Sequence, residues 1–410
     1  DWGGMNDRAT AIPAGTDLEM PPVGQFGVRR ILKGVRSGAI TENDLNRAVG
    51  NLLELIAKLR GEREPSKTWQ TTDFETVSKK LALGSAVLLK NEQELLPLPA
   101  NADAAVIGML AEKPHYQGAG SSLVNPLRAV SFLDALREEN LGWEYARGYT
   151  LGARQDKRLA EGAVELARRK GLVLFFAGLR DIDEAESYDR LHMDLPAAQN
   201  SLIEKIASVN PNVVVVLQSG SPVRLPWLAK VKAVLLVGLA GQMTGAASLD
   251  LLLGRANPCG KLAETWAFAV EGAPSHSQFG GRFSNQYRES VFVGYRYYQT
   301  FQKAVCFPFG FGLSYTSFRV DNLELNRSSL APGEDLEVSL RVTNTGSRAG
   351  GEVIQLYVSP PASAIFRPRM ELKAFEKVAL APGESQTVRL KLRHSDFAFW
   401  NTSLHAWHCE

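Results

Sequence analysis

The feature that most restricts this chain is a pair of short, almost wholly apolar runs, LVLFFAGL at 172–179 and AVLLVGLA at 233–240. A strand covered on both faces reads this way, because neither face turns a polar side chain to water. Each run is under half of the roughly 20 residues that a membrane-spanning helix requires. Helical and strand patterns alternate around them. The spacing predicts helices over about 73–84, 130–139, 155–169, 197–208 and 222–229, and strands over about 86–90, 104–107, 172–177, 213–217 and 232–237. That order calls for a largely parallel sheet with helices on both faces.

The two ends differ from this middle. Residues 1–27 are punctuated by Gly and Pro, with a run at 16–20 that reads as a strand ending at Pro21-Pro22. Two helical patterns follow over 28–60. The second starts at Thr41-Glu42-Asn43-Asp44, with Thr41 as N-cap, and carries Leu45, Val49, Leu52, Leu53, Ile56 and Leu59 at helical spacing. The polar stretch 61–72 reads as a linker. From about 318 the period becomes two, in runs at 336–342, 352–358, 372–380 and 386–392 separated by turn signals such as Pro332-Gly333 and Pro382-Gly383. Short strands at this spacing predict a β-sandwich of immunoglobulin or fibronectin type. The expected domains are 1–65, 66–315 and 316–410.

Lys and Arg number 46 and Asp and Glu 44, a formal charge of +2. That balance gives no electrostatic reason to expect a nucleic-acid or membrane partner. Cys259, Cys306 and Cys409 show neither a disulfide framework nor zinc-ligand spacing. A reducing, cytoplasmic setting is therefore favoured, while a leader upstream of Asp1 would leave secretion open.

Three stretches can carry chemistry. The acidic run Asp181-Ile182-Asp183-Glu184-Ala185-Glu186-Ser187-Tyr188-Asp189-Arg190 follows an apolar strand, where ligands bind in open α/β sheets. By composition alone it reads more readily as a solvated loop. Asp1-Trp2-Gly3-Gly4 sets a carboxylate beside an indole. That pairing suits attack on an oxocarbenium-like carbon with stacking on a pyranose, but taken alone it reads more readily as a frayed terminus. The loop 116–126, YQGAGSSLVNP, lacks the third glycine of a dinucleotide fingerprint and the Lys of a P-loop, so it faces a substrate or simply connects. Gly220-Ser221-Pro222 lacks the pattern of a nucleophile elbow. His405, His408 and Cys409 mimic a metal cluster without a further ligand run, and read as a disordered tail. Tyr295, Tyr297 and Tyr298 read as core or domain interface.

DWGGMNDRATAIPAGTDLEMP (1–21) resembles the family 3 glycoside hydrolases. So, in the family's order, do AVLLKNEQELLPL (86–98), YQGAGSSLVNP (116–126), EAESYDRLHMDLP (184–196), GQMTGAASLDLLLGRANPCGKLAETW (241–266), YRESVFVGYRYY (287–298), FPFGFGLSYTSF (307–318) and ELKAFEKVALAPGES (371–385). The resemblance implies the end of a TIM-like barrel over 1–65, an α/β sandwich with a mostly parallel sheet over 66–315, and a fibronectin type III-like β-sandwich over 316–410, incomplete at its end. It makes Asp1 the catalytic nucleophile and Trp2 a residue lining the sugar site. Glu186, in Glu186-Ser187-Tyr188-Asp189-Arg190, is the implied acid/base. Glu184 is the second choice, because Ser187 stands where the family usually has glycine. Ser121 and Ser122 fall in a loop similar to the family's second-domain contribution to the site.

The implied reaction is β-glucosidase hydrolysis by retaining double displacement, with two carboxyl groups about 5–5.5 Å apart. Glu186 then needs a raised pKa, which Asp183, Glu184 and Asp189 would supply by repulsion and Arg190 would oppose. The resemblance implies no metal or organic cofactor. Its implied partners are small-molecule β-glucosides or oligosaccharides, and a homo-oligomer is compatible with it. A β-xylosidase on the same scaffold and a non-catalytic carbohydrate-binding or assembly module are the competing readings. The family's sugar-holding groups lie on barrel strands before the nucleophile. The chain is therefore expected to be a partial gene product, weakly active or inactive alone, unless a separate chain supplies the barrel. The helices in 1–60 should expose an apolar face, and a missing last strand should leave an open sheet edge.

Overall fold

The computed structural model describes all residues except 1, 62–70, 100, 153–155, 282, 361, 362, 364 and 410. The chain forms two compact units, Asp1–Gln70 and Thr71–Glu410.

In the first unit a short helix α1 (Arg8–Ala11) is capped by Asp7, whose carboxylate accepts from the Ala9 N–H. Two longer helices follow, α2 (Gly24–Arg36) and α3 (Glu42–Gly61). The start of α3 is the expected cap. The Asp44 N–H donates to Thr41 Oγ1 at 3.2 Å and the Thr41 N–H donates back to the Asp44 carboxylate at 3.0 Å. Arg8 is buried and its Nε donates to Glu19 Oε2 at 2.9 Å. The run 16–20 is not a strand. It stays irregular, tied by bonds from the Thr16 N–H to the Ala11 carbonyl and from the Gly3 N–H to the Met20 carbonyl, with no ladder partner among the described residues of this unit. Val28, Leu32, Val49, Leu53, Ile56 and Leu59 are exposed, giving the apolar face that the helical pattern foretold.

The second unit opens with α4 (Thr71–Ser85). Its sheet is built from β1 (Val87–Asn91), β2 (Ala104–Ile107), β3 (Glu144–Ala146), β4 (Leu172–Gly178), β5 (Val213–Gln218) and β6 (Ala233–Leu236), in the order β1-β6-β5-β4-β2-β3. The helices along this part are α5 (Met109–Glu112), α6 (Phe132–Glu138), α7 (Lys157–Arg169), α8 (Ala197–Ala207) and α9 (Thr244–Leu252). β2 to β6 pair in parallel, with Val173 beside Val213 and Phe175 beside Val215. β4 is buried along its whole length, which is why its sequence has no polar alternation. The sheet is largely parallel as expected, and β1 runs antiparallel to β6 at its edge.

The helix expected over 222–229 does not form. Pro222 and Pro226 interrupt it, and only a single 3-10 turn, Leu228–Lys230, closes at its end. The backbone there instead bridges residue 224 to residue 194 in parallel. A short helix α10 (Tyr295–Thr300) buries Tyr298.

The β-rich part holds β7 (Phe318–Leu325), β8 (Asp335–Asn344), β9 (Gly350–Val358), β10 (Glu371–Leu380) and β11 (Ser385–Arg393), in sheets ordered β11-β8-β7 and β10-β9. Val338, Leu340, Val342, Ile354, Val378, Leu380, Val388 and Leu390 form its core. Tyr295 accepts from the Leu372 N–H at 2.8 Å and so ties α10 to β10. The tail is ordered, contrary to expectation. β12 (Phe399–Asn401) and β13 (Ala406–His408) form a hairpin in which Trp400 opposes Trp407 edge to face, with ring centroids 5.8 Å apart. The Asn401 side-chain oxygen Oδ1 accepts from the Ser403 and Leu404 N–H groups and closes the turn.

Candidate active site

Numbered one to five in chain order, the parallel strands β2 to β6 lie 2-1-3-4-5. The chain reverses direction across the sheet between β2 and β4, and such a switch point opens a crevice at the carboxyl ends of the two strands. The loops that leave there are 108–131 and 179–196. They are the glycine-serine loop and the acidic loop singled out in the sequence.

The two loops pair. The Ala119 N–H donates to the Glu184 carbonyl at 3.2 Å, the Glu186 N–H donates to the Ala119 carbonyl at 3.3 Å, and Ala119 and Ala185 form a parallel bridge. Glu186 is exposed and accepts from the Ser121 N–H at 3.1 Å. Hydrogen bonding by Ser121, its hydroxyl first and then its N–H, holds the Glu186 carboxyl below the ordinary value. Gly120 makes this approach possible. Its φ is +84°, and a Cβ there would lie 2.8 Å from Glu186 Cβ. Ser122 donates to the Ala119 carbonyl at 3.4 Å and borders an apolar cavity of about 580 Å³ with Leu81, Val124 and Leu239.

The expectation that neighbouring carboxylates raise the Glu186 pKa is not met. Asp183 is turned to Arg180, with Nε–Oδ2 at 2.8 Å and Nη2–Oδ1 at 2.6 Å, and that pairing keeps its own pKa low. Glu184 is turned inward, with its side chain only 7% exposed. Its Oε1 accepts from the Gly220 N–H at 2.8 Å and the Ser221 hydroxyl at 3.0 Å, and its Oε2 lies 2.7 Å from His115 Nε2. Both oxygens of the second-choice acid/base are thus occupied within the fold.

His115 was not singled out in the sequence, because one histidine without a spaced partner carries no pattern. It is buried, its N–H donates to Gln218 Oε1 at 2.7 Å, and its Nδ1 lies 3.1 Å from Asp181 Oδ1. Arg190 donates through Nη1 to the Ser221 hydroxyl at 2.9 Å and the Pro222 carbonyl at 3.1 Å. Burial lowers its pKa, and the charges of Glu184 and Asp183 oppose that shift.

Glu186, Ser121 and Ser122 therefore share one crevice of the second unit. Trp2 belongs to the first unit and is 68% exposed. Asp1 lies outside the described residues. Among the described residues no group of three or more His, Cys, Asp or Glu is placed to hold a metal ion, and no helix is long and apolar enough to cross a membrane. Chemically, the crevice presents the accessible Glu186 carboxyl on a hydrogen-bonded loop, suited to proton transfer with a bound molecule.

Comparison with known proteins agrees with this architecture. Residues 86–315 match the glycosyl hydrolase family 3 C-terminal domain, and residues 352–410 match the fibronectin type III-like domain. The thermostable beta-glucosidase B of Acetivibrio thermocellus is 41% identical over 415 residues, covering 100% of this chain and 55% of the relative. An exo-alpha-(1->6)-L-arabinopyranosidase of Bifidobacterium breve is 38% identical, again covering 100% and 55%. The crystal structure of the Bifidobacterium adolescentis GH3 beta-glucosidase superposes with a TM-score of 0.92 at 38% identity, covering 100% of this chain and 60% of that one. The chain thus spans somewhat more than half the length of these relatives.

Proposed function

Since the chain belongs to glycoside hydrolase family 3, we propose that it takes part in hydrolysis of terminal β-D-glucosides by a retaining double displacement, with Glu186 as acid/base and Asp1 as nucleophile. In the first step the Asp1 carboxylate bonds to the anomeric carbon while the bond to the leaving oxygen breaks. Glu186 gives that oxygen its proton. In the second step Glu186 takes a proton from water, the water oxygen bonds to the anomeric carbon, and Asp1 departs. Trp2 stacks on the sugar ring in this reading, and the loop of Ser121 and Ser122 borders the substrate. The supporting observation is that Glu186, alone of the two motif glutamates, presents an accessible carboxyl at the switch-point crevice, docked on Ser121.

The low Glu186 pKa suits the base step better than the acid step. A general acid at neutral pH needs its proton held, so substrate must desolvate the carboxyl on binding. The expected rate of the chain alone is low.

The test is hydrolysis of a panel of aryl glycosides by this chain and by Glu186→Ala. The reading predicts weak turnover of the β-D-glucoside that falls by about 10²-fold or more in the variant, the usual contribution of a positioned general acid. Equal rates of hydrolysis in both proteins would overturn it. The similarity to an arabinopyranosidase gives a second reading, in which an α-L-arabinopyranoside is the better substrate. The same panel, with a β-D-xyloside added, decides among the three sugars.

A further inference from the structure

Glu184 and Glu186 lie two residues apart and the chain treats them oppositely. Glu186 meets solvent. Glu184 is withdrawn into a set of hydrogen bonds that joins three separate stretches of chain: Gly220 and Ser221 just after β5, His115 in the loop after α5, and Asp181 at the start of its own loop through the His115 ring. The main chain of Glu184 also takes part, because its carbonyl accepts from Ala119 while the Glu186 N–H donates to Ala119 in turn. Side chain and main chain of one residue thus pin both the acidic loop and the loop that carries Ser121.

Resting on the hydrolase reading above, the geometry points to Glu184 as a positioning residue that acts with His115 to fix the acidic loop and hold the Glu186 carboxyl on the Ser121 N–H.

Two observations support this beyond the contacts themselves. A buried carboxylate is costly to desolvate and persists only where its lone pairs are filled, and here they are filled by a backbone N–H, a hydroxyl and a histidine. Gly220 has room for nothing larger, since a Cβ there would come within 3.1 Å of Glu184 Oε1 and 2.7 Å of Leu239 Cδ1. The β5 end is therefore shaped to receive this carboxyl. The same contacts also give a chemical reason why Glu184 is not the acid/base, as its oxygens face the protein rather than the crevice.

The test compares Glu184→Ala with Glu184→Gln in the full chain. Glutamine keeps an oxygen for the Gly220 N–H and turns its amide N–H to His115 Nε2, which then accepts while Nδ1 donates to Asp181. Alanine leaves all of these partners empty.

The first readout needs no turnover. The Glu186 carboxyl is titrated by ¹³C NMR and assigned by its absence in Glu186→Gln. The expected result is a low value in the parent and in Glu184→Gln, rising toward the ordinary glutamate range in Glu184→Ala. The second readout is the rate with aryl β-D-glucosides of differing leaving groups. A displaced acid lowers kcat/KM by about 10²-fold for a poor leaving group such as phenol, and only slightly for 2,4-dinitrophenol, which departs without a proton. A loss of folded protein lowers both equally.

If Glu184→Ala does not fold, His115→Asn, which gives up the Nε2 contact, carries the same prediction. A folded Glu184→Ala or His115→Asn with unchanged Glu186 titration overturns the inference. So does an equal loss on both leaving groups. Equal rates of glycoside hydrolysis by the parent chain and Glu186→Ala would remove the hydrolase reading, and the titration still decides the positioning role.

Discussion

Ser187 follows Glu186 directly and adopts φ +70°, a conformation that glycine takes freely and a residue with a Cβ does not. Ser187→Gly relieves that strain but loosens the unfolded chain, so the net expected gain is about 0.5–1 kcal/mol. A urea unfolding midpoint that rises bears this out, and one that falls contradicts it. Ser121 offers a test of opposite character. Its hydrogen bonds depress the Glu186 pKa, so they favour the folded state above the unfolded pKa of that group, and the benefit fades as pH falls through the lower folded value. Ser121→Ala removes the hydroxyl, raises the Glu186 pKa and keeps the acid protonated to higher pH. The basic limb of the kcat/KM–pH profile is expected to move upward, and a downward move would count against the assignment of Glu186. At this scale the motif made Glu186 legible, while His115 was not, since its partners lie at Asp181, Glu184 and Gln218, far along the chain.

Among the elements, β4 shows why long apolar runs are the surest part of such a sequence. Its residues are buried on both faces, so the pattern is uninterrupted and its bounds are met almost to the residue. Phe176 is fully buried in it with its ring 4.5 Å from that of Phe132. Phe176→Ala is expected to cost about 3–5 kcal/mol in chemical unfolding, through lost burial and the cavity left behind. A loss below about 1 kcal/mol would mean the site collapses around the smaller side chain. The loop that carries Ser121 depends on Gly120 in another way. Gly120→Ala places a Cβ against Glu186 and forces a left-handed backbone on alanine, at about 1–2 kcal/mol. The Glu186 carboxyl should lose its Ser121 contact, seen as a rise in its titration midpoint. Other elements were hidden for stateable reasons. β3 is three residues long and none of them is buried. Hydrophobic period carries no direction, so the antiparallel setting of β1 could not be read. The helix expected at 222–229 gave too little weight to Pro222 and Pro226.

Across the molecule, the strand order places the chemistry. Sequence pattern supplied the alternation of strand and helix, but the 2-1-3-4-5 order, and with it the crevice between β2 and β4, emerges only when the strands are paired. The acidic loop and the glycine-serine loop are separated by about half a domain of sequence and meet there because β2 and β4 are neighbours. The first unit carries Trp2 and an exposed apolar helical face, and the chain spans 55% of its curated relative. The central claim is that Glu186 moves the proton in glycoside cleavage. Its most direct test is product analysis of 2,4-dinitrophenyl β-D-glucoside with Glu186→Ala in the presence of azide. Azide needs no base, so it should attack the glycosyl-enzyme where water now fails, speeding turnover and yielding β-glucosyl azide. Glucose alone, at a rate equal to that of the unaltered chain and indifferent to azide, would contradict the account.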